Sequence, residues 1–186
     1  MKNLIRVFAV PALIFFLLAF GPVRPDVPDT LKAPAGEDVI LSAHATGVQI
    51  YVCKAENGEK PGWVFKAPEA DLSNPDGKVI IHHFAGPTWK HIDGSQVTGK
   101  VIAKQDAPKA TAIPWLLVAA TPTGDGTLAH VTTIQRINTE GGLPPNPGDC
   151  SAAANGKESK SPYTAAIAWP ELHPVRGNPE KPSSYH

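Results

Sequence analysis

Gly47-Val48-Gln49-Ile50-Tyr51-Val52-Cys53 reads as a β-strand, with Val48, Ile50 and Val52 alternating with Gln49, Tyr51 and Cys53. A period of two sends successive side chains to opposite faces, so one face is aliphatic and the other carries polar or functional groups. The same period continues in Val97, Gly99 and Val101. No window of the chain carries a sustained apolar stripe at the spacing of a helix.

On either side of this strand, short apolar runs are separated by Gly, Pro, Asn and Asp, the punctuation of strands and turns. The expected strands are 39–44, 47–53, 62–66, 78–84, 96–104, 114–120, 127–137 and 163–169. Asp76-Gly77, Asp93-Gly94-Ser95 and Thr123-Gly124-Asp125-Gly126 mark turns between them. Helix is confined to loop segments such as 68–72. Trp115, between Pro114 and Leu116, reads as core. The fold class is therefore all-β, an antiparallel β-sandwich or barrel of about eight strands.

The 16 Gly and 20 Pro among 186 residues fall short of the share at which composition alone implies disorder, so one folded domain is expected. Seventeen basic residues balance seventeen acidic ones, which excludes a basic nucleic-acid binder and an acidic-tail protein as defaults.

Lys2 and Arg6 lead into an apolar stretch from Val7 to Phe20, the layout of an export signal. Residues 1–21 are read as that signal, with Ala19-Phe20-Gly21 as a cleavage pattern; an uncleaved leader would instead anchor the chain to a membrane. A secreted, periplasmic or extracellular location follows from either reading. Residues 22–34 read as a proline-rich linker, 35–169 as the single β-rich domain, and 170–186 as a disordered tail. The segment 141–160, rich in Gly, Pro, Asn and Ser, is expected to be a long surface loop. The only cysteines, Cys53 and Cys150, form a disulfide in an exported chain more readily than a metal site, and that bridge would pin the loop.

Three groups of residues could carry chemistry. The first is Thr88 and Trp89 with Asp93, Ser95 and His83: an indole face beside polar groups that would stack on and orient a sugar ring. The bland alternative is that Trp89 closes the core and Asp93 holds its own turn. The second is a Cu or Zn site from His83, His91, His44 and His130. Neighbouring residues on a strand point apart, so His82 and His83 cannot both serve one ion without a bulge. The third is Arg136, either paired with Glu140 at the surface or drawn into a buried network with Glu69 or Asp71. No nucleophile elbow, His-Glu-x-x-His or glycine-rich phosphate loop is present, and no catalytic residue is assigned.

Taken together, several stretches resemble one family. They are Gly47 to Cys53, Pro68-Glu69-Ala70-Asp71-Leu72, and the run from His83 through Gly86-Pro87-Thr88-Trp89 to Asp93-Gly94-Ser95. Ile113-Pro114-Trp115-Leu116-Leu117, Ile134 to Thr139 with Gly141-Gly142, Cys150, and Tyr163-Thr164-Ala165 complete the set. In this order they resemble the exported bacterial and fungal proteins grouped as domain of unknown function 3455. The resemblance implies an exported, single-domain, β-rich protein and supplies no catalytic residue.

The functional expectation is a non-enzymatic extracytoplasmic binding module, with a carbohydrate or polymer surface as partner and no cofactor. One alternative is a Cu- or Zn-dependent redox or hydrolytic protein built on the histidines. The other is an inhibitor or shield of an extracellular protein, contacting it through the 141–160 loop.

Overall fold

Each strand of the protein is hydrogen-bonded to the next in sequence and the last returns to the first, so the sheet closes into a barrel. The computed structural model describes residues 23–54 and 60–172. The strands are β1 (Glu37–Lys54), β2 (Gly62–Ser73), β3 (Val79–Phe84), β4 (Thr88–His91), β5 (Gln96–Gln105), β6 (Trp115–Thr123), β7 (Thr133–Gly141) and β8 (Glu158–Leu172). All eight pairings are antiparallel. Of the two architectures expected, the barrel is the one adopted; β2 pairs with β3 only over residues 70–73 and β5 with β4 only over residues 96–98, so the sheet is narrow on that side.

Both faces of the strand at 47–53 are legible in the burial pattern. Gln49, Tyr51 and Cys53 are buried on the inner side, whereas Val48, Ile50 and Val52 are only partly covered. The polar set is therefore the inward one. The count of eight strands holds, but the members differ. The runs at 39–44 and 47–53 are one strand, because Ala45, Thr46 and Gly47 pair continuously with β2 on one side and β8 on the other.

Residues 68–72, expected as a short helix, lie within β2. Ala70 and Leu72 are buried while Glu69 and Asp71 are exposed, and pairing to β1 and β3 overrides local preference. β4 escaped notice because four residues show too little of any period. The run 127–132 is not a strand but a loop with two tight turns, whose Leu128 and Val131 are fully buried.

The proline-rich 22–34 stretch behaves differently from a linker over its described part. A single 3-10 turn at Asp29–Leu31 presents Leu31, and Val27 precedes it; both bury against Leu117 and Ile137 on the outside of the barrel. Trp115 packs on this outer cluster instead of the barrel interior. Gln135 donates to the Leu31 carbonyl at 2.7 Å and fixes the strap in place. β8 extends three residues beyond the expected boundary, through Pro170 to Leu172. The signal at 1–21 and the tail beyond 172 lie outside the described residues.

Cys53 and Cys150 are bonded, with Cα atoms 5.4 Å apart and a separation of 97 positions in sequence. The bridge ties the end of β1 to the β7–β8 connection, which carries two 3-10 turns, Pro147–Asp149 and Ala152–Ala154. As the sequence implies, that connection is a loop pinned by Cys150, although 158–160 already belong to β8.

Candidate functional site

The barrel interior divides into two unlike ends. At the end bearing the β4–β5 turn and the 124–132 loop, Leu72, Ile81, Val97, Leu128, Val131, Ile134 and Trp169 are all fully buried and fill the lumen. Towards the other end, where β1 finishes and β2 begins, the lumen is left open as a cavity of about 160 Å³. Gln49 of β1, Pro68 of β2, His83 of β3, Trp89 of β4, Leu116 of β6 and Arg136 of β7 converge on it, with Phe65 and Val101 at its rim.

The local backbone makes this convergence possible. Gly99 of β5 lies against the Trp89 indole, and a Cβ there would come within 2.8 Å of the indole and 2.6 Å of Val118. Only a residue without a side chain lets the indole lie flat across β5. At φ +79°, Gly142 turns the chain back over the lumen, where a Cβ would press to 3.2 Å on Gln49. Its carbonyl accepts a hydrogen bond from the Tyr51 hydroxyl at 2.7 Å.

His83 and Trp89 stack with ring centroids 4.0 Å apart and planes 9° from parallel. The His83 Nδ1–H donates to the Thr88 carbonyl at 2.9 Å, which fixes the tautomer. Burial pushes the His83 pKa down to about 4, so the ring is neutral at ordinary pH; the Thr88 bond opposes this shift and the nearby Arg136 charge adds to it.

Arg136 is the fixed charge of the cavity. Burial lowers its pKa to about 10, against an upward pull from Tyr163 and Tyr51, and the guanidinium stays protonated at neutral pH. One Nη2 hydrogen goes to the Pro114 carbonyl at 2.9 Å. None of the carboxylates that the sequence offers as partners reaches it. Glu140 pairs with Lys109, Glu69 with Lys160 at 2.8 Å, and Asp71 with His82 at 2.7 Å. No carboxylate lines the cavity.

Six buried side-chain polar atoms lack a hydrogen-bond partner among the described residues, and three of them belong to residues that line this cavity: Gln49 Nε2, Trp89 Nε1 and Arg136 Nε. All three are N–H donors. Burial raises the pKa of the neighbouring Tyr163 phenol, against a downward pull from Arg136 and the Gln49 side chain.

The residues expected to act together are split between the two ends. Trp89 and His83 belong to the cavity but are only 4 % and 6 % exposed, so the indole is a wall and not a surface platform. Asp93 and Ser95 knot the closed end. Asp93 Oδ1 accepts from the Ser95 amide at 2.9 Å and hydroxyl at 2.6 Å, Oδ2 accepts from the Thr127 amide at 2.8 Å, and Ser95 Oγ accepts from the Leu128 amide at 3.1 Å. These bonds, the Ser95 hydroxyl foremost, hold the Asp93 carboxyl well below the usual range. Thr88 bonds back to the Ala85 carbonyl at 3.2 Å.

The histidines proposed for copper or zinc do not meet. His44 and His130 are exposed, His83 is stacked inside, and His91 lies 3.0 Å from Asp93. Among the described residues no three His, Cys, Asp or Glu side chains are grouped as an ion would need. His82 and His83 point to opposite faces, as the strand period requires.

Residues 34–168 match the model of a family described as "Protein of unknown function (DUF3455)". The chain belongs to this family. The match spans the whole barrel short of residues 169–172 of β8 and agrees with the resemblance carried by the strand and turn motifs. No curated protein matches the chain. No solved structure matches it either. Family membership therefore leaves the chemistry to be read from the cavity itself.

Gln49 and Arg136 are polar cavity residues that the sequence did not place in a binding site. Gln49 stood in plain view on the polar face of the strand at 47–53. Arg136 appeared as half of a surface ion pair with Glu140 or as part of a buried network with Glu69 or Asp71, and its role depends on the absence of both.

Proposed function

We propose that this family member is an exported, non-enzymatic binding module that takes a small organic molecule into the open end of its barrel. The observation that carries this reading is the set of three unpartnered donors, Gln49 Nε2, Trp89 Nε1 and Arg136 Nε, around one cavity. A buried donor without an acceptor costs about 1–3 kcal/mol, so three in one place favour an acceptor supplied from outside the chain. Eight strands give a lumen that side chains can fill or that can hold one small ligand, and here the two outcomes occupy opposite ends. A disulfide fits an oxidising compartment, and no helix among the described residues is long and apolar enough to cross a membrane.

The expected carbohydrate or polymer-surface partner is thereby narrowed to a molecule small enough to enter, because Trp89 offers its face only inside. A panel of small organic compounds, screened by thermal melting, tests the reading: a binder raises Tm by mass action. Val101→Trp, at the half-exposed rim, should fill the mouth and abolish the shifts while leaving the unliganded Tm close to wild type. Equal shifts in the filled variant would place binding elsewhere and overturn the reading.

A further inference from the structure

Resting on that binding reading, we infer that the ligand is a small carboxylate whose apolar body is about the size of one ring, its anionic end held by Arg136, Gln49 and Trp89. Two independent features of the cavity lead to this class.

The first is charge. Arg136 is a cation inside the barrel with no carboxylate within reach, and one hydrogen bond, to the Pro114 carbonyl, uses one of its five N–H donors. Burying a cation without a counter-charge is unfavourable by several kcal/mol, and proteins avoid it unless something neutralises the charge. Every unpartnered polar atom of the cavity is a donor, so the missing partner is an acceptor with more than one lone pair. A carboxylate meets both demands, because its two oxygens accept from a guanidinium and still have capacity for an amide and an indole N–H. Lys66 at the rim does not compete for it, being paired with Glu158.

The second is size and lining. About 160 Å³ is close to the volume of an engineered protein cavity that holds benzene. Apart from the donors, the walls are Phe65, Pro68, Pro87, Val101, Leu116 and Val118, beside the stacked His83–Trp89 pair. His83 is neutral and adds no second charge. A long acyl chain would not fit, and a bare inorganic anion would leave the apolar walls wet.

The test uses the full mature chain and five probes: benzoate, benzenesulfonate, benzamide, benzyl alcohol and acetate. Binding is followed by NMR through the Trp89 indole N–H and Gln49 side-chain amide resonances, assigned with Trp89→Phe and Gln49→Leu. Benzoate should move both resonances saturably, at least tenfold more tightly than benzamide, benzyl alcohol or acetate. Benzenesulfonate separates a preference for carboxylate from a preference for any anion and should bind more weakly than benzoate. Arg136→Gln should weaken benzoate at least tenfold without changing benzyl alcohol, and Arg136→Lys should recover part of the loss. An unchanged backbone spectrum confirms that each variant is folded; if Arg136→Gln is not, the ratio of benzoate to benzamide in the wild type decides alone. Benzamide or benzyl alcohol binding as tightly as benzoate would overturn the anion while leaving the binding reading intact. Acetate binding as tightly would overturn the ring-sized body. No response to any probe, together with no hit in the melting screen, would overturn both.

Discussion

The two ends of the barrel are built from the same eight strands and obey different rules. At the closed end, Trp169, Leu72, Ile81 and Leu128 fill the lumen and a carboxylate knot at Asp93 satisfies the polar groups of the turns. At the open end, three donors, one of them the Nε of the Arg136 guanidinium, have no acceptor, and the chain is fastened by a disulfide and by the Tyr51 bond to Gly142. On the proposed binding reading, the difference teaches that stability and recognition are segregated along the barrel axis. Where packing and satisfied hydrogen bonds are given up, a covalent clip stands in.

The comparison can be broken or sharpened by substitution, beginning with the clip. Replacing both Cys53 and Cys150 by Ala should destabilise the protein by about 4–5 kcal/mol in the chain-entropy picture for a loop of nearly 100 residues, read from urea midpoints. A loss below about 1 kcal/mol would mean that packing, and not the bridge, holds the open end. At the closed end, Trp169→Ala should cost about 3–5 kcal/mol, since it removes a fully buried indole. Leu116→Ala, at the partly buried cavity wall, should cost clearly less, and equal losses would erase the distinction between the ends.

Acidity supplies the next handle. His83 has a native pKa near 4 against 6.5 when unfolded, so between these values the unfolded chain binds the extra proton. Stability from this group is therefore complete above pH 6.5 and falls as pH drops towards 4, by on the order of 3 kcal/mol. His83→Phe should flatten that part of the profile; a mutant profile with the wild-type slope would show that His83 is not held neutral. A smaller effect is expected at the knot. Ser95→Ala leaves the Leu128 amide without its acceptor and should cost about 1–3 kcal/mol by denaturation, with ligand binding at the far end unchanged.

Much of the barrel was written in short-range pattern. Alternation in Val48 to Cys53 and in Val97, Gly99 and Val101, and the turns at Asp76-Gly77 and Asp93-Gly94, gave strand type and spacing. Segments were misread where tertiary pairing outweighed local preference, as in Pro68 to Leu72, or where burial came from an outside surface, as for Leu31. Sequence could place His82 and His83 on opposite faces, because that follows from the period of two. It could not place Arg136, because an unpaired charge is defined by what the other strands fail to bring near it. Trp89 was noticed for its chemistry, but the Asp93 and Ser95 that neighbour it in sequence belong to the closed end, while its companions in the cavity, Gln49 and Arg136, come from distant strands.

The central claim is that the polar groups of the open end serve a ligand and not the fold. The most direct measurement is urea unfolding of Arg136→Met without added ligand. Replacing an uncompensated buried charge by an apolar side chain of similar length should leave stability within about 1 kcal/mol of wild type, or raise it, the lost Pro114 bond being offset by relief of desolvation. A loss of about 3–5 kcal/mol, the mark of a broken buried charge network, would contradict the account and make Arg136 a structural residue.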